Sequence, residues 1–326
     1  MKKDRYKVGV LGVANIAVRS LIPAFYNSGR FELAGIASRS LFKANEIANS
    51  YNCQAYGSYD ELLDNEAIDL VYVPLPTGLH YEWILKALKK GKHVMSEKSL
   101  ASTWQEVKEL TELAEKNNLL LIENFQFRFH SQHQWVREQL KNNAIGDIRC
   151  FRSSFGFPPF SDKNNIRYSK NLGGGALLDT GAYTLKAMQT ILPEYSFTFR
   201  SASLYSSPGF DVELWGGAYL DCEEGITAQL SFGFDNYYQC NYEIWGSKGK
   251  IISTRAFTAP ANLEPLIILE KQDSKEEIRL PKDDHFKNIL LYIAECLDKQ
   301  KYKEEYQQNL MQAYYIEQIK NYCYGK

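Results

Sequence analysis

The sequence predicts an α/β protein in two parts: a doubly wound parallel sheet over residues 1–123, then an α/β domain with a largely antiparallel sheet over residues 124–326. Three observations lead there. At 326 residues the chain is too long for one typical core. Its first part alternates short apolar runs with helical spacing, as in strands joined by crossover helices. After Asn124 that alternation gives way to strand-like segments with little helix between them, as in antiparallel sheets.

In the first part, residues 7–11 are apolar and β-branched, which suits a buried parallel strand. Residues 15–28 follow with helical spacing through Ile16, Leu21, Ile22 and Phe25. Residues 33–37 read as the second strand, and the next helix takes its apolar face from Leu41, Ala44, Ile47 and Ala48. Further strands are expected at 69–73, 93–96 and 119–123, with helices at 81–90 and 103–116. In the second part a helix at 129–140 and a strand at 147–155 precede a glycine cluster, Gly173, Gly174 and Gly175, which opens a helix reaching Ile191. Strands follow at 197–205, 213–221, 226–234, 238–245, 249–253 and 266–271, and helices at 285–297 and 304–321 close the chain. There is no internal repeat and no low-complexity tract.

The formal net charge of -1 gives no global field for nucleic acid or an anionic membrane. The densest basic run, residues 86–93, ends a helical pattern, where cations complement the macrodipole. No stretch approaches the ~20 apolar residues of a membrane span. The apolar run near the start is short and leads straight into a glycine turn, which fits a first strand better than a signal peptide. The six cysteines include no Cys-x-x-Cys pair and none at zinc spacing with a histidine. A reducing cytoplasm and no metal are therefore expected.

The turn after the first strand runs Gly12, Val13, Ala14, Asn15, Ile16, Ala17. A glycine there permits a tight turn, and the helix start offers free N–H groups to a pyrophosphate. Against the pattern G-x-G-x-x-G/A, Ala14 is the departure, because its methyl limits backbone approach to phosphate. At the end of the second strand, NAD binders place an acid for the ribose hydroxyls. This chain has Ser38, Arg39 and Ser40, with Lys43 one turn later. A guanidinium pairs with a 2′-phosphate, so NADP(H) is the expected cofactor. The competing reading of Arg39 is a solvated loop residue.

Four segments carry a resemblance: residues 9–17; Pro76, Thr77, Gly78, Leu79 and His80; residues 91–99, GKHVMSEKS; and residues 173–183, GGGALLDTGAY. With these the chain resembles the Gfo/Idh/MocA oxidoreductases over essentially its whole length. The resemblance implies an N-terminal Rossmann domain and a C-terminal α/β domain with an open sheet. The family's Glu-Lys-Pro motif stands here as Glu97, Lys98 and Ser99, a departure that removes a backbone constraint. The family's Asp and His four residues apart stand here as Asp179 and Tyr183. Tyrosine at this place is similar to dihydrodiol dehydrogenases, glucose–fructose oxidoreductases and nucleotide-sugar 3-ketoreductases. The alanine-bearing turn at 12–17 looks most like the 3-ketoreductases.

The chemistry asks for these residue types. Hydride arriving at a carbonyl carbon leaves an alkoxide, which needs a proton. Tyrosine, with a free pKa of about 10, is a competent acid. A nearby Lys98 ammonium eases its ionisation and stabilises the oxyanion. Asp179, on the same helix face as Tyr183, orients a substrate hydroxyl or holds Lys98 charged. With 22 tyrosines in the chain, a merely packed helix tyrosine is the competing reading. Leu75, Pro76 and Thr77 leave a strand end where family members lay backbone along the cofactor. His80 either joins them or packs. Glu97 adjoins Lys98, and Asn124 ends a strand near the expected nicotinamide. Arg167 matches a family position that reaches the cofactor, although an exposed loop arginine accounts for it equally well.

The function expected is hydride transfer to a keto group of a sugar or nucleotide-linked deoxysugar. The alternatives are a dehydrogenase of free sugars or cyclic diols, and a non-catalytic NADP-sensing regulator. Arg128, Lys163, Arg167 and Lys170 could meet a diphosphate, or serve only solubility. No nucleic-acid or membrane partner is expected. Tyr237, Tyr238, Tyr242 and Trp245, together with the family's habit of pairing through this sheet, point to a homodimer or homotetramer.

Overall fold

The computed structural model describes residues 3–325. The chain forms two compact units. One holds the residues up to Asn124 together with Phe286–Ala313, and the other Phe125–His285 together with those from Tyr314 onward.

The first unit carries a six-stranded sheet of β1 (Tyr6–Leu11), β2 (Phe31–Ala37), β3 (Gln54–Tyr56), β4 (Leu70–Val73), β5 (His93–Ser96) and β6 (Leu121–Glu123). Its order is β3-β2-β1-β4-β5-β6, and every pair is parallel. Val8, Val10 and Leu11 of β1 are fully buried, as a strand covered on both faces requires. The strand order reverses between β1 and β4, which is where such sheets open a crevice at their carboxyl ends.

Five helices connect the strands: α1 (Ile22–Asn27), α2 (Leu41–Ser50), α3 (Tyr59–Asp64), α4 (Thr77–Lys89) and α5 (Trp104–Lys116). A wide π-type turn, Ala17–Leu21, runs into α1, and the Ile22 N–H reaches back to the Ala17 carbonyl. The next residue is Pro23, which has no N–H to continue a regular ladder. Helix α5 opens with a capping box between Thr103 and Glu106.

The second unit is built on β7 (Ile148–Gly156), β8 (Thr198–Tyr205), β9 (Trp215–Asp221), β10 (Thr227–Gly233), β11 (Gln239–Gly246), β12 (Gly249–Ser253), β13 (Leu266–Lys271) and β14 (Ser274–Arg279). The order is β14-β13-β12-β11-β7-β10-β9-β8, antiparallel except for the β7–β10 pair. Helices α6 (Ser131–Lys141) and α7 (Ala182–Ile191) belong to this unit, and residues of α7 share one core with Phe125, Phe127, Phe151, Phe155 and Phe257.

Alternation along β11 buries Cys240, Tyr242 and Ile244 and turns Trp245 outward. The aromatic set expected to act together is therefore divided. Tyr242 lies in the core with its hydroxyl donating to His133, whereas Tyr237 is 86% and Trp245 49% exposed. The outward side of these strands carries charges instead: Glu243 pairs with Arg152 and Lys250, and Lys250 with Glu270.

The chain ends in α8 (His285–Lys299) and α9 (Lys303–Tyr324). Residues Phe286–Ala313 join the first unit, although the sequence reading placed everything beyond residue 123 in the second. The reason is the open edge of β6. Tyr306 donates its hydroxyl to the Leu119 carbonyl at 2.6 Å, and Asn309 Nδ2 donates to the Leu121 carbonyl at 2.9 Å. A helix thus occupies the acceptors of an edge strand. Asp298 also receives Arg30 and the Tyr6 hydroxyl. In the second unit, Tyr315 anchors the far part of α9 on the Phe197 carbonyl at 2.9 Å.

Buried histidines tie both units to pH. Burial pushes His80 and His285 down to about 4, and His133 to about 3. The unfolded chain binds these protons near pH 6.5. From there down to about pH 4 the unfolded state holds more protons than the folded one. Stability present above pH 6.5 is therefore lost as the pH falls through that window. Each ring should remove about 2 kcal/mol between pH 6.5 and pH 5. Urea unfolding at the two pH values measures this, and an unchanged midpoint would contradict it.

Candidate active site

In the first unit the expected cofactor residues gather at the carboxyl ends of the strands. After β1, Gly12 adopts φ +115°, and its N–H donates to the Ala37 carbonyl of β2 at 2.8 Å. That φ calls for glycine, and a Cβ there would also press on Leu75 Cδ2 at 3.0 Å. Val13, Ala14 and Ile16 are half-buried and Asn15 is exposed, at the start of the helical turn that follows.

At the end of β2, Ser38 is buried and Arg39 exposed, and Ser40 caps α2 by accepting from the Lys43 N–H. The first turn of α2 holds no acid. After β4, Leu75 and Pro76 lead into α4, whose first residue is Thr77. His80 on that helix is fully buried between two carbonyls: Ser99 O lies 2.8 Å from Nδ1 and Leu75 O 2.7 Å from Nε2. Its lowered pKa, caused first by burial, keeps the ring neutral at pH 7, so it donates to one carbonyl at a time.

Beyond β5 stand Glu97 and Lys98, and the Lys98–Ser99 peptide is cis where the family motif has proline. Glu97 Oε1 accepts from the Tyr72 hydroxyl at 2.7 Å and from Asn124 Nδ2 at 2.6 Å. Burial raises the Glu97 pKa, while Tyr72, Asn124 and Lys98 pull it back. The loop continues to Leu100, whose N–H donates to the buried Glu123 Oε1 of β6 at 2.9 Å.

Three features of this unit fit a bound dinucleotide. Gly12 forms a cradle that a Cβ would fill, at a helix start. Arg39 stands where an acid would repel a 2′-phosphate. Asn124 Oδ1 is buried without a hydrogen bond among the described residues, an acceptor suited to a donor such as a carboxamide N–H.

The second unit holds Arg167, Asp179 and Tyr183. A wide turn, Leu177–Gly181, precedes α7 and carries Asp179, and Tyr183 follows four residues later. The Tyr183 ring, 8% exposed, is caged by Phe125, Phe127, Phe155 and Phe257 at centroid distances of 5.4, 5.7, 5.0 and 5.7 Å. Arg167, expected to reach the cofactor, pairs through Nε with Asp179 Oδ2. Asp179 therefore holds a cation of its own unit.

Sequence reasoning missed Tyr72, Glu123 and the four phenylalanines. Tyr72 sits in the apolar run LVYV, where nothing separates a hydroxyl with a task from a packed ring. The phenylalanines come from three separate segments, so only folding reveals the cage.

Residues 6–125 match the model of the oxidoreductase family with an NAD-binding Rossmann fold, and residues 133–252 match the GFO/IDH/MocA C-terminal domain. A dTDP-3,4-didehydro-2,6-dideoxy-alpha-D-glucose 3-reductase of Saccharopolyspora spinosa is 41% identical over 88% of this chain and 86% of its own. The enzyme of that name from Actinomadura kijaniata is 38% identical over 96% and 94%. The crystal structure of a 3-ketoreductase from Actinomadura kijaniata with NADP and TDP-benzene superposes with a TM-score of 0.94, at 37% identity over 98% of both chains. Forms of that ketoreductase with a tyrosine changed to phenylalanine and with a lysine changed to alanine have also been solved. With both domain models matched and near full-length relatives at this identity, the chain belongs to the Gfo/Idh/MocA family of oxidoreductases.

Proposed function

We propose that this protein is an NADP(H)-dependent oxidoreductase that reduces a keto group of a nucleotide-linked deoxysugar, in the manner of a 3-ketoreductase. The observation that carries the reading is the near full-length likeness to an NADP-bound 3-ketoreductase. The readings as a dehydrogenase of free sugars or cyclic diols, or as an NADP-sensing regulator, have no comparable support.

Bound NADPH supplies the hydride that a carbonyl carbon accepts. The Gly12 turn takes the pyrophosphate, Ser38, Arg39, Ser40 and Lys43 take the 2′-phosphate end, and the 75–77 loop, His80, Glu97 and Asn124 flank the nicotinamide. Lys98 polarises the ketone and steadies the alkoxide. Tyr183 breaks its O–H bond and gives the proton to that alkoxide oxygen. Asp179, paired with Arg167, fixes the electrostatics beside the phenol. The phenylalanine cage supports this role for Tyr183, since it holds the ring in place by apolar contact.

We place the enzyme in a reducing cytoplasm, because none of its six cysteines is joined in a disulfide among the described residues. No described helix is long and apolar enough to cross a membrane. We also propose a homodimer or homotetramer formed through the outward face of the second unit's sheet, with Trp245 and Tyr205 as its aromatic anchors.

Light scattering at micromolar concentration tests the assembly; a monomer there refutes it. Arg39→Asp should weaken NADPH far more than NADH, by at least tenfold, or ~1.4 kcal/mol. Fluorescence titration with both cofactors measures the ratio, and an unchanged ratio would overturn the assignment of Arg39. Tyr183→Phe keeps the ring and its cage, so NADPH affinity and melting temperature should hold. Turnover on a nucleotide keto-sugar should drop by roughly 10²–10⁴. Lys98→Ala should be at least as damaging, and the double variant little worse than the worse single one. Near-normal turnover of Tyr183→Phe, with hydride transfer rate-limiting, would remove Tyr183 from the mechanism.

A further inference from the structure

The glycine cluster has a second task besides opening a helix. The Gly175 N–H donates to the Arg167 carbonyl at 2.9 Å. A Cβ on Gly174 would stand 2.5 Å from that same oxygen and 2.8 Å from the Ser169 carbonyl. Glycine at 174 therefore lets the Arg167 backbone lie directly on the cluster. The Arg167 N–H is held by Asn165 Oδ1 at 3.1 Å, and its guanidinium carbon lies 5.1 Å from the centre of the Phe160 ring. Backbone, side-chain stem and head group are each fixed. Nε then meets Asp179 Oδ2, one helical turn before Tyr183.

We propose that Arg167 is a positioning residue for the proton transfer: clamped on Asp179, its guanidinium stabilises the tyrosinate that remains after Tyr183 has given its proton to the substrate alkoxide. The inference rests on Tyr183 being the donor. The step balances simply: the phenol O–H bond breaks, the substrate O–H bond forms, and the negative charge moves from alkoxide to phenolate until solvent returns the proton.

The neighbours of Tyr183 in its own unit are both apolar and charged. The four rings around it, Phe125, Phe127, Phe155 and Phe257, bear no charge. Its own helical segment supplies Asp179, and Lys186 over the Phe125 ring at 5.3 Å. Glu213 stands at the helix start, where its Oε1 accepts the Leu177 N–H. Arg167 is the cation that the loop brings. Its pKa is raised, chiefly by Asp179 and in part by Tyr183, so guanidinium and phenol share a field. That coupling is reciprocal: a phenolate that favours the guanidinium is favoured by it.

The test is the pH profile of turnover in the reduction direction, with NADPH saturating. Its basic limb is assigned to Tyr183 by its disappearance in Tyr183→Phe. Arg167→Gln removes that cation from Asp179, so the limb should move up by about one pH unit and the plateau should fall. Asp179→Asn should move the limb the other way, and Arg167→Lys, which keeps the charge, should restore much of the wild-type profile. Opposite displacements by two partners of one ion pair mark electrostatics, since a merely structural loss would lower the plateau and leave the limb in place. Should Arg167→Gln misfold, the Arg167→Lys and Asp179→Asn profiles decide alone. A limb unmoved in every folded variant, with weaker NADPH binding in Arg167→Gln or Arg167→Lys, would overturn the proposal and make Arg167 a cofactor contact. If Tyr183→Phe itself keeps turnover and limb, the proton-donor reading fails, and this inference fails with it.

Discussion

One carboxylate oxygen, Oε1 of Glu97, gathers three strand ends of the first unit. Tyr72 reaches it from β4 and Asn124 from just beyond β6, while Glu97 itself follows β5. Parallel strands leave their carboxyl ends unpaired with one another beyond the ladder, and the loops there would otherwise drift. A partly desolvated carboxylate with two donors on one oxygen is costly to disturb, because removing either donor leaves buried charge under-satisfied. Lys98 is the next residue, so the direction of its chain follows from this knot. His80 adds a second brace, spanning the Leu75 and Ser99 carbonyls on either side of the same cleft edge.

The second unit fixes Tyr183 by other means. There the ring is held by apolar contact with four phenylalanines. Apolar packing positions a ring without consuming its hydroxyl. In the proposed mechanism the hydroxyl is the proton donor. In the first unit Tyr72 gives its hydroxyl to structure.

Much of the architecture was legible because burial writes a period into sequence. A parallel strand covered on both faces is mostly apolar: β4 reads LVYV, and β1 departs only at Lys7 and β5 at His93 and Ser96. The glycine turn was legible because Gly12 has no substitute at its φ. The edges of the sheets were not. β14 reads SKEEIR and is mostly exposed, so neither alternation nor hydrophobicity marks it, and β3 spans three residues. The return of Phe286–Ala313 to the first unit was hidden as well, since an amphipathic helix records that it has an apolar face and not which core receives it. At the site, Arg167, Asp179 and Tyr183 were all singled out, but the Arg167–Asp179 pair was not. A spacing of twelve residues through a glycine-rich loop carries no geometry until the loop is folded.

That pair also answers a difficulty created by the helix start. The positive end of a helix favours anions, and this one holds two: Asp179 in its first turn and Glu213 on the Leu177 N–H. Glu213 accepts a helix N–H and Asp179 sits in the first turn, and both oppose the appearance of a negative charge on a phenol one turn further on. A helix start free of carboxylates would ease ionisation but leave its N–H groups without acceptors. A cation bound to the nearer carboxylate resolves the conflict, because it offsets the opposing field while the carboxylate stays in the first turn. It must come from outside the helix, since a basic residue in the first turn would itself be disfavoured there. A loop that can lie flat on glycine backbone, with Gly174 admitting the Arg167 carbonyl, delivers it.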